Sequence, residues 1–462
     1  MFSKNVFIFL LFIIIFQQIY PLIIPLNSIK NVSSANGLLE ILDSFKNNIK
    51  YSYITIGFPR QRFQIIYTSI ESTNNIKGEK CFPDSFYNYN LSTTKQFGYE
   101  QNELNYFYVN DFISFDNSHN NYLMNFLYYN STINKKENCG NIGLGYATQK
   151  EEEHNLFFQL KKFNTINKNI FYVNYTNNNE ILLNIGLEPF DIDNSYSKNV
   201  TTIEIAPIID YEVKPGKTRK YDWNLNISRI FYFKKIPLQS NVDPYVEISR
   251  MKTRKLNFFQ ALLVPEEDLI KGPFEYQESI DKNFFDDLIS DNICKKIKFE
   301  NKYYYYCNKE HKNLIKNTFP SIYFYQSDIN YMFELTYEDL FLEKNDYIFF
   351  GIYFDTFLIE VFEGAYISEW NFGKIFLKKY SFAFDLENRK LMFYKKNKFK
   401  KEKKPEEKMN PDENKSSNKK IYQLGLILVV ITIGVFAFLL DRFVKKKYRV
   451  NNLLIDFDNR EA

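Results

Sequence analysis

The sequence predicts a mainly β, two-lobed ectodomain that is followed by one C-terminal transmembrane helix. Between residues 30 and 394, short stretches alternate apolar and polar residues, for example residues 51–56 (YSYITI) and 181–185 (ILLNI). Clusters of Asn, Asp and Gly separate these stretches, which is typical of strands joined by turns. Only residues 156–163 and 283–290 favour short helices. About 365 residues exceed what one hydrophobic core usually supports, so we expect two lobes, at 30–195 and 196–394.

An apolar run at the N-terminus predicts a secretory signal peptide over residues 1–25. Lys4 provides the positive flank, residues 6–16 (VFIFLLFIIIF) are apolar, and Gln17 and Gln18 follow. The run is shorter than the roughly 20 residues that a membrane span needs. Because no small-residue cleavage site follows it, an uncleaved N-terminal anchor stays open as an alternative.

A second apolar run, residues 421–440 (IYQLGLILVVITIGVFAFLL), carries no charge and has the length of a membrane span. Basic residues lie on both sides of it, so the signal peptide sets the predicted orientation. We expect a type I membrane protein of the secretory pathway, in the plasma membrane or an endolysosomal membrane. Residues 395–420, rich in Lys and Glu, predict a disordered stalk, and residues 441–462 a cytosolic tail.

The cysteines and Asn-x-Ser/Thr triplets fit an extracytoplasmic chain. Four cysteines, in a chain predicted to be secreted, indicate two disulfides with three possible pairings. A zinc site at Cys294, Cys307 and His311 lacks a fourth ligand, so we predict neither a metal nor a cofactor. Possible glycosylation sites are Asn31, Asn90, Asn130, Asn174, Asn199, Asn226 and Asn414.

The charge distribution gives no indication of nucleic-acid binding. The net charge is +4 over 462 residues, and the densest basic cluster flanks the predicted span. Basic residues beside a span are more often orientation signals or lipid contacts.

Several motifs, in order, resemble those of the pepsin-like aspartic peptidases. The resemblance rests on residues 53–63 (YITIGFPRQRF), 139–145 (CGNIGLG), 168–173 (KNIFYV), 181–186 (ILLNIG), 223–227 (WNLNI), and on 370–373 (WNFG), 376–380 (FLKKY), Phe384, Asp385 and Phe393. The last group is the most specific, because seven positions agree at the family's spacing. The resemblance implies a bilobal fold with a central cleft. Its lobes favour one bridge each, Cys81–Cys139 and Cys294–Cys307.

The two turns that carry the family's catalytic aspartates are both changed. Residues 67–71 (YTSIE) align with D-T-G-S-S, which puts Tyr67 at the first aspartate. Residues 261–273 (ALLVPEEDLIKGP) align with A-I-V-D-T-G-T-S-x-L-x-G-P, which puts Val264 at the second. The family's mechanism needs a pair of carboxyl groups that share one proton. The nearby Glu71, Glu266, Glu267 and Asp268 are expected to be surface acids on remodelled loops.

The flap that closes over substrate in the family is also altered. Counting back from Asp111 places Tyr99 at the flap tyrosine, and residues 100–106 (EQNELNY) contain no glycine. Closure over a peptide is therefore not expected, although the cleft itself can persist.

Three functions follow as hypotheses. The first is a membrane-anchored pseudo-peptidase that binds a peptide or protein ligand in the cleft. The second is an active aspartic endopeptidase with displaced carboxylates. The third is a structural or adhesive ectodomain whose cleft is filled by side chains such as Tyr67.

Overall fold

The computed structural model describes sixteen segments of the chain between residues 22 and 396. These segments are residues 22–28, 37–46, 50–69, 75–77, 91–101, 106–115, 121–129, 140–147, 151–176, 180–205, 223–233, 245–247, 259–355, 359–362, 365–367 and 370–396.

The described residues are mainly β, as the alternating pattern predicts. Strands of the first part are β1 Leu22–Ser28, β2 Lys50–Ile56, β3 Gln61–Thr68, β4 Asn75–Lys77, β5 Gln96–Gln101, β6 Tyr106–Phe115, β7 Tyr122–Tyr129, β8 Gly140–Gly143, β9 Ile170–Tyr175, β10 Ile181–Ile185 and β11 Thr201–Glu204. The later strands are β12 Asn224–Ile227, β13 Arg229–Phe233, β14 Tyr245–Glu247, β15 Phe259–Leu263, β16 Ile270–Pro273, β17 Cys294–Phe299, β18 Lys302–Asn308, β19 Ile322–Gln326, β20 Tyr331–Leu335, β21 Phe341–Lys344, β22 Tyr347–Phe350, β23 Ile352–Asp355, β24 Ile359–Phe362, β25 Ala365–Ile367, β26 Trp370–Phe372, β27 Ser381–Asp385 and β28 Lys390–Tyr394.

The described helices are short. They are α1 Leu38–Lys46, α2 Leu156–Lys162, α3 Pro189–Ile192, α4 Gln277–Ile280, α5 Asp286–Ser290, α6 Lys312–Thr318, α7 Tyr337–Leu340 and α8 Lys374–Lys379. The predicted helix at 156–163 is confirmed as α2, which begins where the Asn155 side chain accepts a hydrogen bond from the Phe157 N–H. The one predicted at 283–290 is confirmed in its second part as α5, which follows a π-helical turn over Asp281–Phe285.

One large sheet joins the two ends of the described chain. Its strand order is β11-β28-β27-β9-β10-β1-β2-β3-β8-β4-β7-β6-β5. Strands β27 and β28, from the end of the chain, pair with β9 and β11 within this sheet. Phe171 on β9 stacks on Phe384 of β27, with 4.5 Å between ring centroids, so aromatic packing reinforces the junction.

The remaining sheets are built from residues 224–372. One has the order β12-β15-β26-β16-β23-β18-β22-β21, with β17 on β18, a second has the order β14-β13-β19-β20, and β24 pairs with β25. Trp370 is almost completely buried among these strands. Trp223 is equally buried but packs against Phe171 and Phe384 of the large sheet. We refer to described residues up to 195 as the N-terminal half and those from 196 as the C-terminal half, after the predicted lobe boundary.

Several sequence predictions concern the two ends of the described region. Strand β1 begins at Leu22, so the predicted signal peptide, 1–25, overlaps a strand whose Leu22 and Ile24 are buried. A signal peptide that leaves β1 intact ends before Leu22.

At the C-terminal end of the described region, Lys396 forms an isolated β-bridge with Tyr196. The fold therefore extends two residues beyond its predicted end at 394. Within the described segments no helix has the length and apolar character of a membrane span. The predicted span, 421–440, and the tail lie outside them.

One of the two predicted disulfides is confirmed. Cys294 and Cys307 face each other on β17 and β18, with 3.9 Å between their Cα atoms, and are bonded. The predicted Cys81–Cys139 bridge lies outside the described residues.

The turn between β2 and β3 requires a glycine. Gly57 has φ of +73°, and a Cβ there would lie 2.4 Å from Ser92 Oγ and 2.9 Å from Asp111 Oδ2. These two groups are themselves hydrogen-bonded at 2.6 Å inside the fold. The position is therefore closed to side chains by both conformation and space.

We expect Gly57→Ala to lower the free energy of unfolding by about 1–3 kcal/mol, because strain and a buried clash act together. Urea unfolding followed by tryptophan fluorescence measures this change. Gly37→Ala is the matched control, since its Cβ would meet nothing closer than 3.9 Å. Equal stability of the two variants would contradict the assignment.

Candidate functional site

Tyr67, at the position of the first family aspartate, lies in the core of the N-terminal half. It is the last-but-one residue of β3 and pairs with Ile142 of the parallel strand β8. Only 2% of its surface is exposed, and its hydroxyl lies 2.7 Å from Ser52 Oγ on β2. The resemblance therefore aligns a family carboxylate with a buried phenol that is bonded to a neighbouring strand.

Val264, at the position of the second aspartate, follows β15 and is also buried. Its N–H donates to the Phe372 carbonyl at 3.1 Å, and its carbonyl accepts from the Glu267 N–H at 3.0 Å. The backbone therefore forms a tight turn here, as the alignment predicts. An aliphatic side chain cannot transfer a proton, so neither aligned position supplies a carboxyl group.

The residues that follow Val264 reach across to the N-terminal half. We call residues 265–268 the interhalf turn. The Pro265 carbonyl accepts a hydrogen bond from the Tyr175 hydroxyl at 3.1 Å, and the Asp268 carboxylate pairs with Lys50 at 2.8 Å. Each partner lies on a strand of the large sheet, so this turn connects the halves through polar groups.

Glu266 makes the closest contact with the other aligned turn. Its Oε1 accepts from the Ser69 N–H at 2.9 Å, from Ser69 Oγ at 3.0 Å and from Thr68 Oγ1 at 3.3 Å. Its Oε2 is buried and has no hydrogen-bond partner among the described residues. Burial raises the pKa of Glu266 to about 7, against the lowering effect of the Ser69 donors.

Glu267 is held within the C-terminal half. Its Oε1 accepts from Asn371 Nδ2 at 3.0 Å, while Oε2 is buried with no partner among the described residues. Burial raises the pKa of Glu267, and Lys271 and Lys302 act in the opposite direction. The adjacent carboxyl groups of Glu266 and Glu267 therefore serve different halves.

The Lys50–Asp268 pair is buried, with side-chain exposures of 2% and 9%. Lys50 also donates to Ser28 Oγ at 3.1 Å on β1. Burial lowers the pKa of Lys50, and the Asp268 carboxylate raises it in compensation. A buried ammonium keeps its charge at neutral pH only while such a partner stays in place.

The backbone near Gly373 allows the turn to approach so closely. A Cβ at Gly373 would lie 2.4 Å from the carbonyl oxygens of both Glu267 and Leu269. The next residue, Lys374, donates its N–H to the Glu267 carbonyl at 2.7 Å. This glycine of the WNFG motif therefore supports the turn by having no side chain.

The expectation of surface acids is wrong for three of the four acidic residues near the aligned turns. The carboxyl groups of Glu266 and Glu267 are buried, and Asp268 is only 8% exposed. The physical reason is that the interhalf turn packs between the halves. Glu71 lies outside the described residues. Within those residues no group of three or more His, Cys, Asp or Glu side chains could hold a metal ion.

Lys50, Ser52, Tyr175 and Asn371 are site residues that the sequence analysis missed. Of these four, only Lys50 could have been recognised from its neighbours in sequence. It lies on the face of β2 that also carries Ser52, Ile54 and Ile56, and all four side chains are buried. A lysine on the buried face of a strand requires a buried partner for its charge.

Tyr99, the flap-equivalent residue, lies on β5 at the edge of the large sheet. Strand β5 pairs with β6, and their register shifts between Phe97 and Glu100. The backbone around Tyr99 therefore departs from regular pairing.

The predicted glycosylation sites differ in accessibility. Asn199 is exposed in the loop before β11, Asn174 is partly buried on β9, and Asn226 lies on β12 with its Oδ1 buried. Asn31, Asn90, Asn130 and Asn414 lie outside the described residues.

Comparisons with protein-family models and with curated protein sequences found no match to this chain.

We expect Asn199 to carry a glycan and Asn226 to carry none, because Asn199 is exposed whereas Asn226 lies on a paired strand with its Oδ1 buried. Mass spectrometry of tryptic glycopeptides from the chain expressed in a eukaryotic secretory host tests this. A glycan at Asn226 with none at Asn199 would contradict the described exposures.

We expect Asp268→Ala to lower the free energy of unfolding by about 3–5 kcal/mol, because it leaves Lys50 buried without its carboxylate. Replacing both residues, Lys50→Met with Asp268→Leu, should recover much of this loss. Chemical unfolding at pH 6 measures both variants. Lys161→Ala is the control, because the Lys161–Glu387 pair is exposed and contributes at most about 1 kcal/mol. A loss for Asp268→Ala no larger than the control would contradict a buried ion pair.

Proposed function

We propose that this chain is a catalytically inactive, pepsin-like ectodomain anchored to a membrane, with a binding rather than a peptidase role. The observation that carries the proposal is the pair Tyr67 and Val264. Both are buried at the positions where the resemblance expects carboxylates. Without two carboxyl groups that share a proton, the aspartic-peptidase mechanism has neither its base nor its acid.

The contact between the two aligned turns supports the pepsin-like assignment. Thr68 and Ser69 come from one aligned turn, and Glu266 comes from the other, 197 residues after Ser69. Sequence motifs alone selected both segments, and the family's fold requires these two turns to face each other. Their hydrogen bonding is difficult to reconcile with a chance resemblance.

A ligand-binding role fits the edge of the large sheet. Among the described strands β5 is the last of that sheet, with β6 as its one neighbour. An edge strand offers backbone groups to which an extended peptide can add as a further strand. We therefore propose a peptide or protein segment as the ligand, with Tyr99 on the strand that it meets. The predicted span at 421–440 would hold this surface at a membrane of the secretory pathway.

A second candidate is an aspartic endopeptidase with displaced carboxylates, and one observation favours it. Glu266 combines a pKa of about 7 with an oxygen that has no partner among the described residues, which are properties of a general acid. The buried position of that oxygen and the engagement of Glu267 with Asn371 argue against it.

A peptidase assay separates the two candidates. We expect the full-length chain in detergent micelles to release no products above blank from a diverse peptide mixture between pH 3 and 7, as measured by mass spectrometry. Glu266→Gln should leave this result unchanged. The matched control is Glu338→Gln at an exposed position. Cleavage that a pepstatin-type inhibitor blocks, and that Glu266→Gln but not Glu338→Gln removes, would establish the displaced-carboxylate enzyme instead.

A further inference from the structure

The interhalf turn brings several buried titratable groups to the boundary between the halves. Glu266 bonds to Thr68 and Ser69, Asp268 bonds to Lys50, and Tyr175 bonds to the Pro265 carbonyl. All of these contacts join a residue before 195 to a residue after 260. The turn is therefore a joint between the halves that contains several ionisable side chains.

Two neighbouring carboxyl groups in this joint each have one oxygen that accepts no hydrogen bond from the described residues. Glu266 Oε2 and Glu267 Oε2 are both buried and have no hydrogen-bond partner among the described residues. A buried carboxylate oxygen without a donor is destabilised more than the oxygen of a neutral acid. The buried Oε2 atoms therefore favour the protonated acids, against the donors on the two Oε1 atoms, which favour the carboxylates.

The charged groups around Glu266 and Glu267 do not remove the preference of these two acids for the protonated form. Glu266 faces the carboxyl group of Glu267 and the Tyr175 phenol. Asp268 also faces this phenol and pairs with Lys50. The groups that face Glu267 are Lys271, Lys302, Asp355, Tyr304 and Tyr353. Lys374 adds a positive charge near Lys50. Glu266 thus has acidic neighbours and no lysine bonded directly to it among the described residues.

We propose that the interhalf turn is a pH-sensitive joint. In addition to the β9–β27 pairing, it stabilises the packing of the two halves in acidic surroundings, and this contribution weakens as the pH rises to neutral. The proposal does not depend on whether the chain has peptidase activity. In a chain predicted for the secretory pathway, such a joint would be tight in an acidic endolysosome and looser at a neutral cell surface.

The sign follows from linkage between protonation and folding. Burial raises the pKa of Glu266 from 4.5 to about 7, so between these values the folded chain binds a proton that the unfolded chain releases. Stability is then complete below about pH 4.5 and decreases as the pH rises through 7. The pKa of Glu267 is raised in the same direction. Lys50, whose pKa is lowered, acts in the opposite sense at higher pH, so the test compares variants as well as pH values.

The experiment measures urea unfolding of the full-length chain in detergent micelles at pH 4.5, 5.5, 6.5 and 7.5, followed by tryptophan fluorescence. For the wild type we expect the unfolding equilibrium constant in the absence of urea to increase on the order of 100-fold from pH 4.5 to 7.5. Glu266→Gln cannot ionise and should flatten most of this dependence. Glu338→Gln, at an exposed site, should keep it.

A second measurement locates the effect at the joint. The Ser69 N–H donates to Glu266, so its hydrogen-exchange protection, corrected for the intrinsic rate, should fall with rising pH more than that of Ile54 within β2. If Glu266→Gln does not fold, Glu267→Gln and the wild-type exchange profile decide the question. Wild-type stability that is constant or increases from pH 4.5 to 7.5, or an unchanged slope in Glu266→Gln, would overturn the proposal.

Discussion

The buried ion pair between Lys50 and Asp268 is the constraint on which the site depends. Two charges removed from water are tolerated only when each satisfies the other, and here the partners are 218 residues apart in sequence. The pair fixes the interhalf turn against β2, and Ser28 on β1 adds a second acceptor for the ammonium group. With Asp268 fixed, Glu266 is placed against Thr68 and Ser69, and Val264 is held beneath the turn. The pairing of β27 with β9 already joins the halves within the large sheet, and the ion pair adds a buried polar contact between the interhalf turn and β2.

Two of the altered residues form contacts that glycine could not make. The resemblance expects glycine at positions 69 and 266, where this chain has serine and glutamate. The Ser69 hydroxyl and the Glu266 carboxyl are now bonded to each other at 3.0 Å. Next to the two positions where the resemblance expects aspartates, the chain therefore has a hydrogen bond between the two aligned turns.

The sequence predicted the strands and turns of this site better than it predicted the burial and the partners of their side chains. Alternating apolar residues predicted β2 and β10, and motif spacing selected Tyr67 and Val264, which lie near the end of β3 and just after β15. Burial of Glu266, Glu267 and Asp268 could not be read from their neighbours, because a run of acids beside a proline is typical of an exposed loop. The partners Lys50, Tyr175 and Asn371 lie on distant strands, and local periodicity contains no information about which strands meet. Only the in-phase position of Lys50 on β2 indicated a buried charge.

The raised pKa of Glu266 is compatible with two roles, general acid catalysis and pH-dependent stabilisation of the interhalf turn. The burial of the side chain favours the second. A general acid near pH 7 needs both a proton and an oxygen that a substrate can reach. The same burial that raises this pKa also encloses Oε2, while Oε1 is occupied by three donors from Thr68 and Ser69. Among the described residues the neighbouring carboxyl group of Glu267 is bonded to Asn371 through Oε1, and the Oε2 atoms of Glu266 and Glu267 are not hydrogen-bonded to each other. These contacts favour a role for the Glu266 proton in the stability of the interhalf turn, where its release places a negative charge beside Glu267.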